Sequence, residues 1–255
     1  MNNFSSPKTI SILPRFYRWL LLVFTLPLAS SAQHYNHLTL WTRLQVATPL
    51  SKRWELMAGL HYRRQNNYEH GSLNFLEAPL LSGFQTQFTY RNAARTVALI
   101  PWQATYFVSN TLLGKEEDFS IPQNREWRFA IGTELTQNIA PKWIFRQRIL
   151  QEFRFFRSNQ DHPVGRIRGR WQVIYALKPF VSVVGVTELV VHDPPQMNGL
   201  KPFRFHQFWL GTSLMWRLNK KINLETGYTF IRTQRLSLIE IDNQNAMSLN
   251  LFMRL

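Results

Sequence analysis

Residues 143–157 (WIFRQRILQEFRFFR) and residues 164–177 (VGRIRGRWQVIYAL) alternate between apolar side chains and arginines. Aromatic residues such as Trp143 and Phe145 occupy odd positions, and arginines such as Arg146 occupy even positions. Successive side chains of a β-strand point to opposite faces of the sheet. The pattern therefore predicts two neighbouring strands that share one aromatic and aliphatic face and one charged face.

Segments with strand character recur along the chain. Most are longer than the ~9–11 residues that a tilted strand needs to cross a bilayer, and a membrane barrel has lipid outside and a polar interior. We therefore predict an all-β fold, a single antiparallel transmembrane β-barrel built as an up-and-down meander. The candidate strands are 35–48, 53–65, 82–91, 96–109, 123–138, 143–157, 164–177, 181–192, 203–218, 222–233 and 244–255.

The predicted number of strands is about 12, with about ten as the alternative, because bacterial single-chain barrels normally have an even number. The candidate segments make an odd count. Either residues 74–81 contain a further strand, which Pro79 disfavours, or one candidate segment is not a strand. Short connections alternate with longer, more polar ones, which is typical of outer-membrane barrels.

The N-terminal residues have the layout of a secretory signal peptide. Basic residues precede an apolar run over 19–29, and small residues lead up to Ala32. The run is too short for a membrane-spanning helix, which needs about 20 residues. We expect residues 1–32 to be a signal peptide, residues 33–255 to form the barrel, and the protein to reside in the cell outer membrane.

The composition restricts the function. The chain has no cysteine, so disulfides and thiolate metal sites are excluded. It carries a formal net charge of +15. A basic chain can indicate nucleic-acid binding, but these arginines lie within strand alternation and no nucleic-acid motif accompanies them. We expect no nucleic-acid partner. Outer-membrane lipid, lipopolysaccharide and a small anionic solute are the expected partners of the positive charge, and the oligomeric state stays open.

Short motifs on consecutive strands carry a family resemblance. They are NREWR (124–128), RQR (146–148), EFR (152–154), RIR (166–168), Glu188 and LETGY (224–228). The chain resembles an uncharacterised family of bacterial outer-membrane β-barrel proteins, catalogued only as a domain of unknown function, with arginine and glutamate on the inner strand faces. The resemblance covers most of the chain after the signal and implies fold and location, but no substrate and no catalytic residue.

The charged positions predict an inward-facing network. If short turns set a register that matches the inward faces, Arg146 faces Glu134 and Glu188 faces Arg170. Opposite charges on neighbouring strands stabilise each other. Two predicted rows are Arg128–Glu152–Arg168 and Glu126–Arg154–Arg166. The full predicted network is Glu126, Arg128, Glu134, Arg146, Arg148, Glu152, Arg154, Arg166, Arg168, Arg170 and Glu188. On the opposite face, the residues predicted to contact lipid are Trp143, Phe145, Phe153, Trp171 and Tyr175.

Two classes of function remain open at this point. The first is a small passive pore or solute-binding and transport barrel with a narrow, Arg/Glu-lined lumen. The second is a structural or partner-binding barrel with a plugged lumen, in which the same charges hold the wall together. A barrel-embedded lipid enzyme is a distant third, because no Ser and His converge in a strand pattern. We therefore expect no catalytic residue, no cofactor and no metal.

Overall fold

The computed structural model describes residues 33–67, 74–94, 96–157, 163–193, 204–235, 237 and 239–255. The predicted signal peptide lies outside these residues. Most of the described residues form β-strands, and a short 3-10 helix lies at Glu116–Ser120. No helix of the described chain is long and apolar enough to cross a membrane. The strands are β1 Gln33–Pro49, β2 Trp54–Gln65, β3 Ala78–Arg91, β4 Val97–Ser109, β5 Asn124–Ala140, β6 Trp143–Phe156, β7 Val164–Lys178, β8 Val181–Asp193, β9 Arg204–Arg217, β10 Ile222–Gln234 and β11 Glu240–Arg254.

The strands form a closed barrel in which each strand pairs with its neighbours in sequence. All sequential pairs are antiparallel, and β1 closes the ring by pairing in parallel with β11, from Gln33 opposite Glu240 to Ala47 opposite Arg254. The eleven strands of the described residues differ from the predicted 12 and from the alternative of ten. An even count is required only when the closing pair is antiparallel, and the parallel pair removes that requirement.

The segment over 74–81 does not form a separate strand. Its second half is the start of β3, which begins at Ala78 and pairs with the end of β2 through Ala78 opposite Gln65. Pro79 is accommodated there beside a register shift between Arg63 and Arg64, as expected for proline within a sheet.

The two ends of the barrel differ in their connections. One end, here called the short-turn end, carries the connections 50–53, 92–96, 141–142, 179–180 and 218–221. The other end, the long-loop end, carries the connections 66–77, 110–123, 157–163, 194–203 and 235–239, of which several extend beyond the described residues.

Side-chain alternation separates an apolar outer face from a polar inner face. Outward residues such as Leu60, Ile149 and Leu210 are exposed, whereas inward residues such as Gln87 and Thr105 are buried. The aromatic residues predicted to contact lipid lie on the outer face. Trp143 and Phe153 are exposed there, and Phe145, Trp171 and Tyr175 are half-buried.

Candidate functional site

A cavity of about 560 Å³ lies inside the barrel. Side chains from all eleven strands line it, so it is enclosed by the whole wall and not by one pair of strands. Its lining includes eight arginines and four glutamates, which gives the cavity a formal excess of positive charge. These residues are Arg43, Arg63, Arg128, Arg146, Arg148, Arg166, Arg168, Arg170, Glu134, Glu152, Glu188 and Glu225.

The largest charge cluster joins β6, β7 and β8. Glu188 accepts hydrogen bonds from Arg168 Nε at 2.8 Å and from Arg170 Nε at 2.5 Å. Glu152 accepts from Arg166 Nε at 2.6 Å and from Arg168 Nη1 at 2.8 Å. Arg168 therefore bridges the two carboxylates, and both carboxylates are almost fully buried. Each buried glutamate is held by two guanidinium groups, the geometry in which an ionised carboxylate is best satisfied.

Two smaller clusters hold the remaining predicted network. Glu126 accepts hydrogen bonds from Arg128 Nε and Arg154 Nε, each at 2.8 Å. Glu134 lies 3.3 Å from Arg148 Nε and 3.6 Å from Arg146 Nε. Every residue of the predicted set thus lies in one of three carboxylate-centred clusters, although no ion pair among the described residues connects the three into one network.

The register agrees with the prediction at one turn and differs at two. Arg170 lies opposite Glu188, as predicted. Between β5 and β6, however, Glu134 lies opposite Arg148 and not Arg146. The connection is the two residues 141–142, and a register shift lies next to it between Asn138 and Ala140. The pairing therefore differs from the predicted one by two residues, which preserves the inward faces.

The two predicted rows are consequently not straight rows across the sheet. Arg128 lies opposite Arg154, and Glu152 lies opposite Arg166. The carboxylates are still shared, because long arginine side chains reach diagonal neighbours on the same face of the sheet.

The exposure of the inner arginines rises toward the short-turn end. Along β7 the exposed fraction of the side chain is 5% for Arg166, 18% for Arg168 and 25% for Arg170. Along β6 it is 13% for Arg154 and 38% for Arg146. Lys178 ends β7 and Trp143 starts β6 at the short-turn end, so both strands become more accessible in the same direction. The inner arginines of β6 and β7 are therefore more accessible to solvent toward the short-turn end.

At the long-loop end, the connection between β4 and β5 folds over the barrel mouth. We call this connection, residues 110–123, the loop cap. Its Leu113 and Asp118 are buried. Asp118 Oδ1 lies 2.9 Å from Arg235 Nη1, and Arg235 Nη2 lies 2.8 Å from Asp242 on β11. His37 on β1 contacts the same Asp242 at 2.9 Å.

Further hydrogen bonds attach the loop cap to the wall. The side chain of Gln65 bonds the backbone on both sides of the cap's Leu112, through Thr111 O and Leu113 N. Lys115 Nζ donates to Glu240 at 2.6 Å, and this bond raises the pKa of the Lys115 ammonium above its ordinary value.

Arg235 is the central anchor of the loop cap. Burial by itself would lower the pKa of the Arg235 guanidinium, but hydrogen bonds to Asp242 and Asp118 raise it above its ordinary value. Arg235 therefore stays cationic and holds the two carboxylates together.

An aromatic bridge crosses the interior between distant strands. Trp41 on β1 and Trp209 on β9 meet edge to face, with ring centroids 5.2 Å apart. Arg63 lies 3.7 Å over the Trp41 ring, and Arg168 lies 5.6 Å from the Trp209 centroid. Ring faces attract guanidinium groups, so this bridge narrows the interior and connects the Arg/Glu clusters to the opposite wall.

Sequence reasoning missed this side of the cavity. Arg43, Arg63 and the two tryptophans are absent from the predicted network, which is centred on the arginine-rich β6 and β7. The alternation of β1 could have identified two of them. Leu40 and Leu44 point outward, so Trp41 and Arg43 between them point inward.

The potential metal ligands among the described residues do not form a cluster. Within the described ranges, no group of three or more His, Cys, Asp and Glu side chains could hold a metal ion. His37 is engaged with Asp242 in the anchoring of the loop cap, and His192 stacks on His206 with ring centroids 3.8 Å apart.

The fold and its interior define a closed up-and-down β-barrel with a central cavity. The chain belongs to the family described as protein of unknown function (DUF2490), which matches residues 38–238. The matched range begins within β1 and ends just before β11, so it includes the charge clusters and the loop cap. No curated protein matches the chain.

Proposed function

We propose that this protein is an outer-membrane β-barrel that binds small anionic solutes or conducts them passively through a narrow, charged interior. The apolar outer face, the polar inner face and the long strands support membrane insertion. In this proposal the outer face contacts lipid and lipopolysaccharide, the long-loop end lies outside the cell, and the short-turn end faces the periplasm.

The observation that carries the proposal is the excess positive charge of the cavity. Eight arginines face four glutamates in its lining. A confined cavity with a net positive charge concentrates anions. An interior built only for wall stability would need no such excess, because paired charges would suffice.

The competing function is a structural or partner-binding barrel with a plugged interior. The loop cap supports it, since buried Leu113 and Asp118 occupy one mouth of the barrel. The aromatic bridge between Trp41 and Trp209 narrows the interior further. Both features are also compatible with a solute-binding barrel that is accessible from one end.

Cell fractionation and planar-bilayer recording test the proposal. We expect the mature chain to begin after Ala32, to fractionate with the outer membrane, and to give small anion-selective currents in a salt gradient. A soluble periplasmic product would refute the membrane proposal. An inserted barrel with neither conductance nor solute binding would support the structural alternative.

A further inference from the structure

We infer that the interior contains a binding site for a small, multiply charged oxyanion, built around Arg43 and reached from the short-turn end. The inference rests on the proposed function and deepens it, because it names the chemical class of the solute and the residues that would select it. A phosphate-bearing or polycarboxylate solute has the required chemistry.

The first argument is a set of buried polar atoms in the cavity wall that make no hydrogen bond. Arg43 Nε and Trp41 Nε1 are buried and have no hydrogen-bond partner. Arg146 Nε and Arg148 Nε are also buried and make no hydrogen bond, although they lie 3.6 Å and 3.3 Å from the Glu134 carboxylate. All four residues line the cavity. A buried donor without a partner costs free energy, and four donors around one cavity are complementary to an acceptor-rich ligand.

Gln103 Oε1, an unpaired acceptor, also belongs to this wall. The amide of Gln103 carries two N–H donors as well as its oxygen. Rotation of that amide by half a turn would add a further donor, which is consistent with the same ligand class.

The second argument is the distribution of ion pairs. The predicted network on β5 to β8 is matched with carboxylates, whereas Arg43 and Arg63 on β1 and β2 belong to no ion pair among the described residues. Arg43 interacts electrostatically with Arg170 and Arg168, and its favourable partner is Glu225. An unpaired guanidinium in this setting is destabilising, and a bound anion would relieve the repulsion.

The third argument is geometry. Guanidinium groups bind oxyanions through two parallel N–H donors, and arginines from β1, β6 and β7 surround one space of about 560 Å³. That volume lies within the range of about 300–1,000 Å³ that is usual for small-molecule sites. The rising exposure of Arg166, Arg168 and Arg170 opens the site toward the short-turn end, and the loop cap covers the other end.

The test is calorimetric titration of the folded, detergent-purified barrel with pyrophosphate, and in a second arm with citrate. We expect either probe to bind, and the affinity to fall as sodium chloride is raised, because binding pairs charges. Arg43→Gln should weaken binding about tenfold or more, since a hydrogen bond between charged groups contributes about that factor.

Matched variants separate the site from general charge effects. Arg53→Gln removes the same charge from an exposed turn residue and should leave binding unchanged. Arg43→Lys keeps the charge but loses the planar fork, so its affinity should lie between those of wild type and Arg43→Gln. If Arg43→Gln fails to fold, Arg148→Gln serves as the second variant and should weaken binding in the same way.

Two results would overturn the inference. One is a folded wild-type barrel that binds neither probe; the other is equal affinity in Arg43→Gln, Arg53→Gln and wild type. Because the titration needs no membrane current, its failure is distinct from failure of the proposed function. A barrel that conducts ions but binds neither probe would support the proposed pore and refute the oxyanion site.

Discussion

At the scale of single residues, the interior is organised around buried carboxylates that each serve two arginines. Glu152 is 1% exposed and holds both Arg166 and Arg168. Removing a buried ion from such a cluster leaves uncompensated charges of one sign, which costs more than the cluster contributes when intact. The stability of the barrel interior therefore depends on intact ion pairs between the carboxylates and the guanidinium groups.

Glu152→Gln is expected to destabilise the barrel by about 3–5 kcal/mol, because Arg166 and Arg168 lose their shared counter-charge. The measurement is the free energy of unfolding in urea, with the protein refolded into lipid or detergent. The double variant Glu152→Gln/Arg166→Gln should be less destabilised than the sum of its single variants, since the second change removes one of the stranded charges.

The control for this cycle is Glu117→Gln, which changes an exposed carboxylate in the loop cap and should leave stability within about 0.5 kcal/mol of wild type. Additive effects of Glu152→Gln and Arg166→Gln would show that the pair is not coupled.

The exposure of these residues could not be predicted from sequence, because alternation gives the face of a residue but not its depth in the barrel.

At the scale of elements, strand alternation predicted most of the wall, and local irregularities account for the differences. The predicted strand boundaries lie within a few residues of the observed ones, since hydrophobic alternation is a strong signal. Within β4, however, a register shift between Ile100 and Gln103 exchanges the two faces. Ile100 is buried before it, and Gln103 and Thr105 are buried after it. A β-bulge of this kind leaves no reliable mark in a single sequence.

The loop cap illustrates a second limit of sequence reasoning. Three consecutive acidic residues, Glu116–Asp118, are typical of a solvated loop, and Glu116 and Glu117 are exposed. Asp118 differs because Arg235, 117 positions away, reaches it from the end of β10. Contacts of this length are set by the closure of the barrel and not by local pattern.

Asp118→Asn is expected to loosen the loop cap without unfolding the barrel. The substitution keeps the size of the side chain but removes the charge that pairs with Arg235. Hydrogen bonds to charged groups contribute about 1.5–3 kcal/mol, so amide hydrogen exchange in residues 110–123 should accelerate about tenfold or more. Hydrogen-exchange mass spectrometry measures this directly.

The matched control is Glu117→Gln on the same short helix, where exchange should not change. Equal exchange in Asp118→Asn and wild type would show that the ion pair with Arg235 does not hold the cap. If the cap also limits solute passage, single-channel conductance of Asp118→Asn should exceed that of wild type.

The outer face gives a prediction that tests membrane insertion at the level of one strand. Ile149 lies near the middle of β6 and is 56% exposed, and Ile139 lies at the end of β5 and is 58% exposed. Arginine on a lipid-facing strand costs about 2–4 kcal/mol at the bilayer midplane and about 0–1 kcal/mol near the interfaces. Ile149→Arg should therefore destabilise the barrel in lipid much more than Ile139→Arg does.

Refolding titrations into lipid vesicles measure both variants. Because the two isoleucines have nearly equal exposure, a difference between them reports depth in the bilayer and not loss of packing. Equal and small effects at both positions would contradict the proposal that this face meets lipid.

At the scale of the whole molecule, the barrel closes through one parallel pair of strands. Every other pair forms between neighbours in sequence, which the hairpin pattern predicts, whereas β1 and β11 meet only when the ring closes. The sequence pattern predicted a barrel but not its strand count, because parity follows from how the ring closes. The same closure brings Trp41 and Arg43 of β1 toward Trp209 and the Arg168 cluster. It thereby forms the side of the cavity where Arg43 and Arg63 have no ion pair among the described residues.

The closing pair can be tested by cross-linking, since the chain has no native cysteine. Thr42 on β1 lies opposite Leu249 on β11, and adjacent strands lie about 4.8 Å apart, within the range of about 4.4–6.8 Å between Cα atoms that a disulfide allows. The double variant Thr42→Cys/Leu249→Cys should therefore form an intramolecular disulfide on mild oxidation, detected by mass spectrometry of peptides. Thr42→Cys/Met253→Cys, displaced by four residues along β11, is the control and should cross-link poorly. If another strand lay between β1 and β11, the separation would double and neither variant would cross-link, which would restore an even-numbered barrel.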